Sequence, residues 1–162
     1  MVKKEAKRYW LMKSEPETYS IDQMKKDQKT CWEGVRNYQA RNFMMKDMSL
    51  GDYVLFYHSN AEPTGIAGLC NVHSAAEADK TQFEKKSDFY DPKSTKENPR
   101  WKCVEIKFVE KFSQILTLES LKKDPVLQDM QLLKRGQRLS VQPVSETEFH
   151  HILKSAKKLG GS

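Results

Sequence analysis

Gly51-Asp52-Tyr53-Val54-Leu55-Phe56-Tyr57-His58-Ser59 is the stretch on which the fold turns. Leu50-Gly51-Asp52 is turn chemistry, and the residues after it are aliphatic or aromatic, which predicts a strand over Tyr53–His58. Gly65–Val72 predicts a second strand soon after, with no helix between the two. Its two glycines mark a bulge or a close backbone approach. Two strands in direct succession argue against a regular alternation of strand and helix.

Upstream, Tyr9-Trp10-Leu11-Met12 predicts a short buried strand that ends at Lys13-Ser14-Glu15-Pro16. Ser20-Ile21-Asp22-Gln23 has capping-box form and opens a helix to about Asp27. Residues 31–35 predict a brief extended piece, and Asn37 is the N-cap of a helix running to about Asp47. Downstream, residues 79–84 predict one helical turn, with Thr81 and Glu84 at capping-box spacing. Residues 85–100 predict a long polar loop. Residues 101–112 alternate and predict a half-buried strand. Two short helices, residues 118–122 and 126–133, are split by Asp124-Pro125. Residues 138–144 form a last strand. Ser145-Glu146-Thr147-Glu148 opens a terminal helix that stops at Gly160. This order excludes a doubly wound sheet and favours an α+β fold: a small mixed sheet or barrel with helices outside.

The 162 residues suffice for one domain with its own core. The expectation is a flexible basic tail over residues 1–8 and a single domain over residues 9–159. Mean hydropathy of −0.77 predicts substantial solvated loops, and no apolar run is long enough for a membrane span. The net charge of +6, from 28 basic and 22 acidic residues, suits a polyanionic partner. Cys31, Cys70 and Cys103 lack CxxC spacing, so free thiols are expected, with no metal site and no cofactor.

The chemistry-bearing cluster is Trp32-Glu33-Gly34-Val35-Arg36-Asn37-Tyr38-Gln39-Ala40-Arg41-Asn42. Planar rings, amide edges and fixed positive charge in eleven residues are what reading a base beside a phosphate requires. Each member also has a plainer role. Trp10, Trp32, Tyr57 and Trp101 suit a core, Arg36 and Arg41 suit surface charge or a carboxylate partner, and Asn37 suits a cap. Trp32 and Trp101 stand near element ends, where pockets form. No GxSxG elbow, Walker A or GxGxxG motif is present. His58, His73, His150 and His151 have no local nucleophile signature. A hydrolase of nucleic acid or nucleotides would have to draw on Glu15, Glu33 and Asp52. A protein-interaction module is a third alternative.

In order and spacing, Lys13-Ser14-Glu15-Pro16, the Trp32–Asn42 stretch, Gly51-Asp52, Phe56-Tyr57-His58-Ser59, Trp101 and Arg138-Leu139-Ser140-Val141 resemble the motifs of the EVE domain. The resemblance covers nearly the whole chain. It departs from the family's usual pattern at Ser74-Ala75-Ala76-Glu77-Ala78. The family is similar in fold to PUA and YTH domains, which implies a PUA-like mixed β pseudo-barrel with surrounding helices. It implies a non-enzymatic, nuclear reader of modified bases, with modified cytosine such as 5-hydroxymethylcytosine in DNA as the leading ligand and RNA as an alternative. A monomer with no membrane partner is expected. A vertebrate member carries a longer basic N-terminal segment, expected to be absent or shortened here.

On this resemblance Trp32 and Trp101 stack on or wall the base. Ser14, Asn37, His58 and Ser59 hydrogen-bond its edge. Lys13, Arg36, Arg41 and Arg138 meet phosphates. Val35, Tyr57, Leu139 and Ser140 complete the expected pocket.

Overall fold

The computed structural model describes residues 7–135 and 139–159. Its main sheet has six strands in the order β2-β7-β4-β3-β1-β8: β2 is Lys29–Cys31, β7 Glu105–Thr117, β4 Gly65–Val72, β3 Tyr53–His58, β1 Tyr9–Ser14 and β8 Val141–Val144. β1 and β3 are parallel, with Tyr9 opposite Tyr53 and Ser14 opposite His58; the other neighbours are antiparallel. A two-stranded ribbon, β5 (Glu77–Ala78) and β6 (Lys102–Cys103), stands beside it. The sheet is mixed and curls into a half-barrel with helices outside, the α+β, PUA-like architecture implied by the resemblance.

Strand alternation builds a core on each side of the sheet. Trp10, Met12, Val54 and Phe56 pack with Trp32, Val35 and the inner side chains of α1 (Ile21–Asp27) and α2 (Tyr38–Asn42). Leu11, Leu55 and Tyr57 face the other way. They pack against Leu121 of α3 (Leu118–Lys123) and Phe149, Ile152 and Ala156 of α4 (Glu146–Leu159). Side chains such as Phe56 and Leu55 are fully buried, each contributing about 1.5–3 kcal/mol of transfer free energy.

The caps expected at Ser20 and Ser145 form, but the turn Lys80–Phe83 is capped by Asp79, whose Oδ1 accepts from Thr81 N–H at 2.9 Å, and not by a Thr81–Glu84 box. Ser20 Oγ accepts from Gln23 N–H at 3.1 Å. Ser145 and Glu148 cap each other reciprocally, at 3.0 and 3.1 Å. The expected stop at Gly160 lies outside the described residues. Both glycines of β4 are needed. A Cβ on Gly68 would stand 2.6 Å from the Glu110 carbonyl oxygen, and one on Gly65 would collide with the Leu116 carbonyl oxygen. The β4–β7 register also shifts between Ile66 and Gly68, so bulge and close approach both occur.

Several boundaries differ from expectation: the last strand, β8, begins at Val141, and the helix expected over residues 126–133 is two 3₁₀ turns, Pro125–Leu127 and Gln131–Leu133. β1 runs on to Ser14, because pairing with β3 continues through Lys13–Tyr57 and Ser14–His58. The extended piece at residues 31–35 pairs only at its start, where β2 ends at Cys31. The helix after Asn37 widens, α2 giving way to a π turn over Phe43–Asp47. The strand expected over residues 101–112 breaks at Val104 and resumes as β7 to Thr117, following its partner β4 to its end.

Candidate base-binding cavity

A cavity of about 530 Å³ opens where β1, β2 and the loop before β6 meet. Lys13, Ser14, Glu15, Thr18, Tyr19, Thr30, Cys31, Trp32, Glu33 and Phe89 line it. Trp32 is held rigidly. Its backbone N–H donates to Val104 O at 2.8 Å, and its ring meets Phe56 edge-on at 5.5 Å. Trp10 and Trp101 spend their indole N–H groups on Asp52 at 3.0 Å and Asp91 at 2.7 Å. The Trp32 indole N–H has no acceptor among the described residues, leaving a donor beside the cavity.

Phe89, 40% exposed, supplies another aromatic wall of the cavity. Its ring lies directly over Gly34, whose φ is +83°; a Cβ there would come within 2.6 Å of the ring. Gly34 therefore serves twice, adopting a left-handed backbone and making room for an aromatic wall. Arg36 holds that wall in place. Its Nε and Nη2 donate to Phe89 O at 3.0 and 2.7 Å, Nη2 also to Thr81 Oγ1 at 3.0 Å, and Nη1 to Val35 O at 3.0 Å and Asp79 Oδ2 at 3.1 Å. Asp79 is fully buried. Burial would raise its carboxyl pKa, but hydrogen bonds from Thr81, the Gly34 N–H and Arg36 outweigh that and hold it below the ordinary carboxylate value.

Arg36 is thus corrected from the expected phosphate contact: all five of its N–H donors are occupied internally, which ties the loop to the site. Trp101 is corrected as well. It is buried, carries Tyr38 stacked at 4.8 Å, has the Arg36 guanidinium 5.3 Å from its ring, and does not line the cavity. Tyr57 points to the opposite side of the sheet from Trp32, as alternation along β3 requires. Lys13 touches the cavity rim, but its Nζ lies 5.8 Å from the Tyr57 ring centroid, on that far side.

His58 is also placed structurally. Its ring is buried and Nε2 accepts from the Ile21 N–H at 3.1 Å, at the start of α1. Burial depresses its pKa below 6.5; Asp22 pulls it up and Lys111 adds to the depression. Ser14 lines the cavity while its Oγ donates to Tyr19 O at 2.6 Å. Ser59 N–H donates to Ser14 O at 3.0 Å, and Lys13 N–H to Ser140 O at 2.8 Å, which fixes the end of β1 from both sides.

Asn37 caps α2, its Oδ1 accepting from Ala40 N–H at 2.9 Å. Its amide nitrogen has no partner among the described residues, so one side chain both caps and offers a donor. Arg41 donates to Arg100 O at 2.8 Å and to Asn42 Oδ1, and lies 4.6 Å from the Tyr38 ring centroid. Val35 and Leu139 pack in the first core, and Arg138 lies outside the described residues.

Phe89, Glu33, Tyr19 and Thr18 are wall residues that the sequence did not single out as base contacts. The one signal for Phe89 was a glycine in a site stretch opposite a long loop. Glu33 sits at the rim. Burial, followed by Asp79 and Glu84, raises its carboxyl pKa.

Comparison with known proteins follows the same lines. The EVE domain model matches residues 8–155. Human thymocyte nuclear protein 1 is 43% identical over 93% of this chain and 74% of its own length. An uncharacterised fission yeast protein is 36% identical over 95% and 70%. The structure of a hypothetical protein from Leishmania major superposes with a TM-score of 0.92 at 47% identity, covering 96% of this chain and 98% of that one. Human THYN1 protein, solved in complex with 5-methylcytosine-containing DNA, superposes with a TM-score of 0.86 at 42% identity over 92% and 97%. With the family model spanning nearly all of its length, the chain belongs to the EVE domain family.

Proposed function

We propose that this chain is a non-enzymatic reader of modified cytosine in DNA, taking the base into the cavity between Trp32 and Phe89. The observation that carries the reading is that cavity: two aromatic walls with an unpaired indole N–H at one side and a carboxylate at the rim. A relative 42% identical over 92% of this chain was solved with 5-methylcytosine-containing DNA.

The chemistry matches cytosine. Its exocyclic amine is a donor that a carboxylate accepts, and thymine offers a carbonyl at the same place. Glu33 takes the amine and the Trp32 N–H donates to an acceptor on the ring. Extruding a base costs a few kcal/mol, and stacking on aromatic walls returns about 1–3 kcal/mol. Lys85 and Lys86, exposed in the loop that carries Phe89, meet the flanking phosphates. The protein acts in the nucleus, as the name of its vertebrate relatives suggests, and 5-hydroxymethylcytosine is a ligand alongside 5-methylcytosine.

Fluorescence polarisation with matched duplexes carrying cytosine, 5-methylcytosine or 5-hydroxymethylcytosine tests this. A modified duplex binds more tightly than the plain one, and the difference disappears in a folded Trp32→Ala variant. Equal affinity for all three, unchanged by that substitution, overturns the reading; tighter binding of a matched RNA reassigns the ligand.

A further inference from the structure

We propose that Cys31, Cys103 and Glu77 form a binding site for a thiophilic divalent cation of the zinc class, reached through Cys31 at the edge of the cavity. Cys31 Sγ lies 3.3 Å from Cys103 Sγ and 3.3 Å from Glu77 Oε1. The three donor atoms all fall within 4.8 Å of one another.

The backbone brings them together without help from the ligand. Glu77 and Cys103 are direct partners in the β5–β6 ribbon, so their side chains share one face. Cys31 ends β2, and the next residue, Trp32, bonds through its N–H to Val104 O, the residue that follows Cys103. Chain segments distant in sequence are thus pinned around a single point. That is why the spacing of the cysteines carried no metal signature.

The distances fit a cation better than a disulfide. A tetrahedral zinc ion, with bonds of about 2.3 Å to sulfur and about 2.0–2.2 Å to oxygen, needs sulfurs roughly 3.8 Å apart and sulfur–oxygen separations of roughly 3.5 Å. The separations of 3.3 Å found here are within about half an ångström of both. A disulfide needs about 2.05 Å, more than an ångström closer.

The surrounding charges favour a cation too: they are carboxylates, Glu77 and Glu33 beside Cys31, and Asp79 and Glu77 beside Cys103. A divalent ion supplies the positive charge this cluster lacks and lets the thiols ionise. One cation enters as two thiol protons leave to solvent, with no oxidant involved. Three protein ligands leave a position for water, as in open zinc sites. Cys31 itself lines the cavity, so the ion clamps β2, and with it Trp32, to the ribbon.

The test uses the whole chain, reduced and stripped with chelator, titrated with cobalt(II) alone under anaerobic conditions. A thiolate-to-cobalt charge-transfer band saturates at one equivalent and is displaced by zinc. It is lost in Cys31→Ser and in Cys103→Ser. Glu77→Gln, at an exposed position, weakens the titration while keeping the band. No band in the reduced protein overturns the proposal, as does a band that survives Cys31→Ser. So does a disulfide between Cys31 and Cys103 in protein made under reducing conditions.

Discussion

Arg36 Nη2 donates to the carbonyl oxygen of Phe89 at 2.7 Å, across a separation of 53 residues. Through that bond the Trp32–Asn42 stretch holds an aromatic wall supplied by the long loop. The same guanidinium closes on buried Asp79, so wall and core share one anchor.

Arg36→Lys keeps the charge but offers three donors where five are used. The expected cost is about 1–3 kcal/mol in urea unfolding, from acceptors left unmet. Affinity for a modified duplex falls, yet the dependence of binding on salt stays as in the wild type, because no phosphate contact is lost. Lys85→Ala acts in the opposite sense, flattening the slope of log K against log salt by about one with little change in stability. Equal slope changes in both variants would restore Arg36 to the phosphate surface.

Gly34→Ala puts a Cβ into the Phe89 ring at a residue with φ of +83°. The left-handed backbone alone costs about 1–2 kcal/mol. The ring must also move, so duplex affinity falls further than stability predicts. Hydrogen exchange in residues 85–100 reads this directly: faster exchange there, with the sheet unchanged, is the expected pattern.

Glu33→Gln tests the amine-reading role. An amide still accepts through its oxygen but no longer carries the charge, so preference for modified cytosine over thymine narrows. In the wild type the carboxyl pKa is raised, first by burial and then by Asp79 and Glu84. Affinity therefore weakens on acidification already above the ordinary glutamate value of 4.5. The Gln variant lacks that acid limb; a limb that persists assigns it to another group.

His58 links pH to stability. Its folded pKa lies below 6.5, chiefly through burial, while the unfolded chain titrates near the ordinary value. Between those two values the unfolded state holds more protons, so stability falls as pH drops through that window and is fully present above about 6.5. Thermal unfolding of wild type and His58→Gln from about pH 5 to pH 8 should show a shallower acid loss in the variant. Parallel curves would mean that the Ile21 bond is not what protonation breaks.

Much of the fold was legible because local signals agreed. The β3 and β4 strands have the bounds that composition and turn chemistry dictate, and Ser20, Asn37 and Ser145 cap where their spacing says. The break at Val104 was not legible, since it depends on which partner each half of that segment finds. Ser14 and Trp32 stand at element ends and line the cavity. Arg36 looked the same from sequence whether it faced solvent or Asp79; only the arrival of residues 79–89 decides between them. Phe89 was hidden for the same reason, in a loop without periodicity. The face occupied by Tyr57 was deducible from alternation along β3 once the side of the sheet holding Trp32 was known.

The most direct measurement is a crystal structure of this chain with a duplex carrying one 5-methylcytosine. The account predicts that base extruded, lying between Trp32 and Phe89, its exocyclic amine on Glu33 and the Trp32 N–H on the ring. A base left stacked in the duplex, or seated against Trp101 with the Trp32 cavity unfilled, would contradict it.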